Sequence, residues 1–453
     1  MFKQFLYRAY SKSAVGQPLG RRFTKVGFLL VIVLVISAVL GLDTRRTVVY
    51  RAFAFLFVLL VISYLWSLFF RLRITATRIL PKFGTAGEPF EYQIILKNFS
   101  PTVQKGLHLF ENTDPPIPTL EEFLSTPEPS EECRNAYDRT LLVYRWNWLV
   151  SQKRAKVIRA QPLPTLLPDS DTNIQATLTP ARRGYLHLTG LTIARPDPVN
   201  LFNALIQIPV RQSVLILPKR YDLPPIQLPG TRKFKRGGVA LASSVGESEE
   251  FVSLRDYRPG DPLRRIHWRS WAKTGKPIVK EYQDEYFVRH ALVLDTFQST
   301  AYSEIFEEAI SVAASFACTV RTQDSLLDLM FVGTEAYCFT AGRGLAHTEQ
   351  MLEILASVST CQDKPFSTLP PIVIEHAQLL SGCICILLAW DAERRNFIDH
   401  LHTLGIPMLV FVVTDEKTKQ SVDQGSLEER PDHVYVLEVG KVQEGLANYT
   451  DFS

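Results

Sequence analysis

The sequence predicts three parts: a doubly wound, mostly parallel α/β domain at the C-terminal end, a β-sandwich-like middle domain, and a transmembrane helical hairpin at the start. Three observations carry this reading. Two long charge-free apolar stretches come first, short alternating strands broken by proline and glycine follow, and continuous apolar runs between amphipathic helices complete the chain. The length of 453 residues suits about three domains. With 46% hydrophobic and 21% charged residues and a mean hydropathy of +0.03, the chain is too apolar to be disordered and too charged to be polytopic throughout. A net charge of +4 calls for no polyanionic partner, and six cysteines without recurring spacing exclude a disulfide scaffold.

The membrane hairpin is expected over residues 26–70. No charge interrupts Val26 to Leu42 or Ala52 to Phe70, and each segment covers most of a bilayer core of about 30 Å. Asp43 to Arg46 leave room only for a tight turn. Residues 1–25 are basic, with Lys3, Arg8, Lys12, Arg21, Arg22 and Lys25 and no acid; Arg71, Arg73 and Arg78 follow the second span. Positive charge on both outer flanks predicts a two-pass protein of the inner (cytoplasmic) membrane with both termini in the cytoplasm and free thiols beyond Arg71.

Residues 74–225 read as the β-rich domain. In Glu91 to Leu96 polar and apolar residues alternate, and Pro81, Gly84, Gly87, Pro89 and Pro101 mark frequent turns. The stretch Asp114 to Glu132, rich in proline and acid and free of Lys and Arg, reads as a solvated excursion or a docking loop; helical periodicity appears around Arg134 to Val150. Residues 286–453 form the α/β domain. Its strands are expected at Ala291, Leu326, Cys383, Pro407 and Val434, and its helices along the Phe306 to Val320 stripe, at Leu345 to Val358 and at Ala392 to Leu404. Ligands of such a fold bind at the C-terminal strand ends.

Residues 240–285 are the most informative. Within "EFVSLRDYRPGDPLRRIHWRSWAKTGKP", Arg255, Arg258, Arg264, Arg265 and Arg269 crowd among Asp256 and Asp261, beside Tyr257, Trp268 and Trp271. Guanidiniums among carboxylates and aromatics serve either to lock a surface loop or to dock a protein. The interleaved carboxylates spoil a continuous basic track, so no nucleic-acid partner is expected.

This stretch resembles the signature of the domain of unknown function 58 family, as does "TPARRGYLHLTGLTIARPDPVNLF" from Thr179 to Phe202. The resemblance implies a C-terminal half of the von Willebrand factor A type and a MoxR-type AAA+ ATPase as partner; the hairpin by itself makes the lipid bilayer a further partner, and a scaffold whose β domain binds other membrane proteins is a third reading. It also implies Mg²⁺ at an Asp-x-Ser-x-Ser loop with a later Thr and Asp, oxygen donors being what a hard cation requires. Asp295 and Ser299 match that loop and Asp391 matches the later Asp. Phe297, however, stands at the first Ser, and only Thr348 is offered as the Thr. The metal set Asp295, Ser299 and Asp391 is therefore degenerate, and no cofactor is expected.

Enzyme signatures fail. Ser270 to Lys273 and Lys273 to Gly275 overlap where penicillin-binding enzymes separate them, and no glycine-rich phosphate loop exists. Cys383 and Cys385 share one face of a core strand. The expected function is a non-enzymatic adaptor, docking its partner through Arg255, Tyr257, Arg258, Asp261, Arg264, Arg265 and Trp268. The alternative is a metal-dependent hydrolase using Asp295, Asp391 and His267, with His267 also able to pair with Asp261.

Overall fold

The computed structural model describes residues 2–15, 19–40, 47–70, 72–114, 117–128, 131–153, 156–157, 161–223, 249–261, 263, 266–284, 288–300, 302–319, 325–342, 348–415 and 434–447. Arg264 and Arg265, and the expected turn at Asp43 to Arg46, lie outside the described residues.

Four helices come first: α1 (Phe2–Val15), α2 (Leu19–Arg22), α3 (Lys25–Leu40) and α4 (Thr47–Leu68). Helix α4 contains the stretch Val48–Leu68, which is long and apolar enough to cross a membrane by length and composition. The sixteen described residues of α3 rise about 24 Å, less than a bilayer core, so among the described residues one helix meets the length. The two helices pack side by side, and both expose large apolar side chains such as Phe28, Ile36, Phe55 and Trp66. Their base is fastened to the domain that follows. Leu60 of α4 and Leu30, Val31 and Leu34 of α3 pack on Leu201 and Phe202, and Thr24 N–H donates to Leu201 O. Gly27 is required there, because a Cβ would lie 2.0 Å from Leu201 O.

The β region contains β1 (Ile74–Ile79), β2 (Phe83–Thr85), β3 (Phe90–Asn98), β4 (His108–Thr113), β5 (Lys156–Val157), β6 (Gln161–Pro162), β7 (Asp171–Thr179), β8 (Gly184–Pro196) and β9 (Asn203–Leu217). They form two sheets, in the orders β1-β3-β7-β5 and β2-β9-β8-β4-β6. The alternation read in the sequence is present: Tyr92, Ile94 and Leu96 point inward from β3 and join Leu109, Leu191 and Ile193 from the other sheet in one core. A buried polar knot spans both sheets. Arg78 pairs with Glu111, whose other oxygen accepts from Tyr92 Oη at 2.7 Å.

The stretch from Asp114 to Glu132 is in part structured, not a plain solvated excursion. Thr119 and Glu122 form a capping box on α5 (Leu120–Ser125), which buries Phe123 against α7 (Val143–Lys153); the short α6 (Ala136–Leu141) lies between. The stretch holds no Lys or Arg of its own and takes its cations from the residues that follow: Arg145 of α7 pairs with Glu131, and Arg134, just before α6, with Glu128. Helix α1 docks on this unit. Tyr7 and Tyr10 donate to the carbonyls of Pro118 and Leu141, and both rings lie against Trp146.

A two-stranded arm follows, β10 (Glu249–Asp256) and β11 (Ile278–Asp284), with α8 (Trp268–Thr274) between them. Next comes a mixed α/β region built from β12 (Val288–Leu294), α9 (Glu304–Thr319), β13 (Ser325–Val332), β14 (Ala336–Ala341), α10 (Thr348–Ser357), α11 (Leu369–His376), β15 (Gly382–Leu387), α12 (Ala392–Thr403), β16 (Met408–Thr414), β17 (Val434–Glu438) and α13 (Val442–Ala447). The sheet order is β14-β13-β12-β15-β16-β17, parallel except for β14. Helices α9, α10 and α13 cover one face of the sheet, and α11 and α12 cover the other. The antiparallel edge β14 and helix α11 have no counterpart among the expected elements. β14 is short and half-exposed, and α11 carries two prolines in its first turn. All six cysteines are unpaired, with Cys383 and Cys385 on one face of β15, their sulfurs 3.4 Å apart.

Candidate functional site

Asp295 follows directly on β12 and has no solvent exposure. A carboxylate in that position must find donors at both oxygens. Oδ1 accepts from Phe297 N–H at 3.0 Å; Oδ2 accepts from Leu388 N–H at 3.0 Å and from Arg394 Nε at 2.6 Å. Arg394 comes from the first turn of α12. Asp391 is the N-cap of that helix, accepting from Arg394 N–H at 3.0 Å, and its second oxygen pairs with Arg394 Nη1. The remaining nitrogen faces Phe297 O at 3.4 Å, and Phe366 packs 4.7 Å from the guanidinium. Burial works against the Arg394 charge, but the Asp295 and Asp391 carboxylates outweigh it and raise the pKa above its ordinary value.

Asp295 and Asp391 are thus brought to one corner, with Ser299 on its exposed rim; Thr348 begins α10. These residues do not fit a divalent ion. A guanidinium already joins the two carboxylates, and a second cation there would meet like charge. The ring of Phe297 turns into the core against Phe366. Among the described residues, no group of three or more His, Cys, Asp or Glu is placed to hold a metal. Arg394 is the residue that sequence reasoning missed. Its signal was the spacing Asp391-x-x-Arg394 at a helix start, which sets the two side chains on one face.

The arm gathers the other candidates. Arg255 donates to both oxygens of Asp261 at 2.8 Å, and the N–H of Arg258 donates to the same carboxylate at 2.9 Å. Gly260 takes a φ of +107° in the intervening Arg-Pro-Gly-Asp turn. The Arg255 bond, helped by the Arg258 N–H, holds the Asp261 carboxyl down at about 2. Tyr257 N–H donates to Pro277 O, closing the ribbon. Trp268 is 64% exposed and stacks on Trp271 at 5.2 Å; Leu263 is 68% exposed, and Leu254 is exposed too. His267 lies 2.6 Å from Ser270 Oγ through Nδ1, its backbone N–H donates to Ile278 O, and Asp261 is taken by Arg255. The arm leads into the start of β12 and Asp295 follows its end, so the seven residues of that strand place about 23 Å between the arm's root and Asp295. The hydrogen bonds described for His267 reach Ser270 and Ile278, not Asp295 or Asp391.

Two arginines assigned no role in the sequence sit on a third feature. In the Arg182-Arg183-Gly184 turn between β7 and β8, Arg183 donates to Leu355 O at 3.1 Å and Val358 O at 2.6 Å, at the C-terminal end of α10, and pairs with Glu307 of α9. Arg182 lies 3.6 Å from the ring centre of Tyr302.

The described residues thus combine an ion-paired arm bearing an exposed tryptophan with a mixed α/β region whose strand-end corner is closed by Arg394. Residues 253–379 match the family described as "Protein of unknown function DUF58", so a DUF58 domain is present; this accords with a non-catalytic, protein-interacting role. A curated relative, the uncharacterized protein YeaD of Bacillus subtilis (strain 168), is 29% identical over 126 residues, which are 27% of this chain and 31% of that protein. The match therefore spans about a third of that relative. Among solved structures, two of the CARDB domain of PF1109 from Pyrococcus furiosus share 9% and 10% identity. Each covers 32% of this chain, with 93% and 89% of the domain covered, at TM-scores of 0.18 and 0.19. A superoxide reductase from Ignicoccus hospitalis shares 10% identity, covering 31% of this chain and 79% of its own, at 0.14. Overlaps this weak carry no argument about this chain.

Proposed function

We propose that this chain is a membrane-anchored adaptor whose arm, the segment Glu249 to Asp284, docks a protein partner, with a MoxR-type AAA+ ATPase as the partner the sequence resemblance points to. The observation that carries this is the arm's surface. A stacked tryptophan pair and two exposed leucines project from a ribbon stiffened by the Arg255–Asp261 pair, and Arg and Trp are the side chains on which interface energy concentrates. In this reading the α/β region is of the von Willebrand A type, supported by its single antiparallel edge and helices on both faces. The middle domain is a sandwich, supported by the core its two sheets share. Helices α3 and α4 form a two-pass anchor, supported by their side-by-side packing and exposed apolar surfaces, with both termini in the cytoplasm, supported by the basic residues on the outer flanks. Residues 240–285 serve as the docking segment between the β-rich unit and the unit at 286–453.

The test is recovery of partners from detergent extract by the wild-type chain, by Trp268→Ala/Trp271→Ala and by Arg255→Ala/Arg264→Ala. An ATPase captured by the wild type and lost from both variants is the expected result. An unchanged partner set, or no ATPase at all, refutes the reading.

A further inference from the structure

The guanidinium of Arg394 sits where the sequence resemblance would put a divalent ion, bonded to both carboxylates that such an ion would use. We propose that this chain carries the cation of its strand-end corner in cis: Arg394 is the resident counter-ion, the corner is complete without metal, and removing that side chain converts Asp295 and Asp391 into a divalent-cation site.

Three features favour this assignment. Asp295 is fully buried and needs a positive neighbour, which Arg394 Nε supplies at 2.6 Å alongside two backbone N–H donors. The guanidinium is held by more than its charge. Asp391 fixes it from the helix cap, Phe366 covers its face and Phe297 O lies against its third nitrogen, so it cannot exchange as a bound ion does. Asp391 is 50% exposed and caps the positive end of α12, so the second negative charge rests near water and the helix N-terminus, not in the core. A metal ion in such a corner keeps an open coordination position that a partner's carboxylate can fill. A guanidinium has no coordination position to offer a carboxylate, and each of the three nitrogens here already faces an oxygen of its own chain. The corner therefore supports the fold, and docking falls to another surface whether or not the arm is that surface.

The experiment uses the full chain in detergent and Mn²⁺ as the probe, reading bound ion by electron paramagnetic resonance and stability by thermal unfolding. The wild type should take up no Mn²⁺ that depends on Asp295, and its Tm should be the same in millimolar Mn²⁺ and in chelator. Arg394→Ser should unfold at lower temperature, bind one Mn²⁺ per chain and regain part of its Tm with the metal. Arg394→Ser/Asp295→Asn should lose both the binding and the recovery. Mn²⁺ uptake by the wild type that vanishes in Asp295→Asn would overturn the proposal, as would a folded Arg394→Ser chain indifferent to Mn²⁺. If Arg394→Ser does not fold even with Mn²⁺ present, the conversion to a metal site is refuted. Arg394→Lys and the wild type then still decide the resident-cation part: both should be folded and Mn²⁺-insensitive, and metal dependence in either would refute it.

Discussion

Arg78 and Glu111 are both almost wholly buried, and Tyr92 closes their pair. Removing one partner leaves the other charged and unmatched in the β core. Glu111→Ala should therefore lose about 3–5 kcal/mol in chemical denaturation, whereas Arg78→Met/Glu111→Leu should recover most of that loss. His290, on β12, gives a second residue-scale prediction. Burial depresses its pKa from 6.5 to about 4, and a bond to the Gly382 backbone offsets only part of this. The folded chain thus refuses a proton that the unfolded chain accepts. Stability is complete above pH 6.5 and falls as pH drops toward 4, by about 3 kcal/mol in all. His290→Leu should flatten this acid limb in unfolding curves measured across the range. His290 and Arg394 were equally visible as letters in the sequence. Only Arg394 turned out to govern the strand-end corner, because its partner Asp295 lies ninety-nine positions away in the chain.

Elements show how local chemistry was legible and pairing was not. The stripe from Phe306 onward became α9, and the apolar runs became β12, β13, β15, β16 and β17, because buried parallel strands and amphipathic helices have distinct periods. The excursion after Asp114 was harder to read. Its acids face Arg134 and Arg145, and its Phe123 is buried only once α7 and α1 arrive. The arm is a two-stranded ribbon on which Trp268 is exposed and Trp271 half-buried, so the pair contributes little to a core. Trp268→Ala/Trp271→Ala should leave the Tm within a few degrees of the wild type while removing partner capture. A large fall in Tm would mean that the pair stabilises the fold instead.

At the scale of the whole molecule, the β domain is clamped to the α/β domain by the Arg182-Arg183 turn, and Tyr221 extends the contact by bonding Glu308 and Ser315 of α9. Arg183→Ala leaves the carbonyls of Leu355 and Val358 without this donor. It should lower stability by about 2 kcal/mol, read by denaturation, and hasten limited proteolysis between the domains. The membrane reading is tested at the same scale. Single cysteines placed at residue 3 and residue 45 of a cysteine-free chain should label from opposite sides of sealed vesicles. Labelling from the same side would contradict a two-pass anchor.

Hydrophobic period, charge placement and turn residues depend on neighbours a few positions apart, so the apolar opening, the alternating β region and the α/β region were written in the chain itself. The Arg255–Asp261 pair is equally local, its partners six residues apart, but the partner read for Asp261 in the sequence was His267. The tertiary structure alone decided which distant groups meet. It placed Arg394 between Asp295 and Asp391, Arg183 on the end of α10, and Leu201 against the base of α3. Such encounters join residues from distant elements, and composition and spacing carry no record of distances that exist only after the chain has folded.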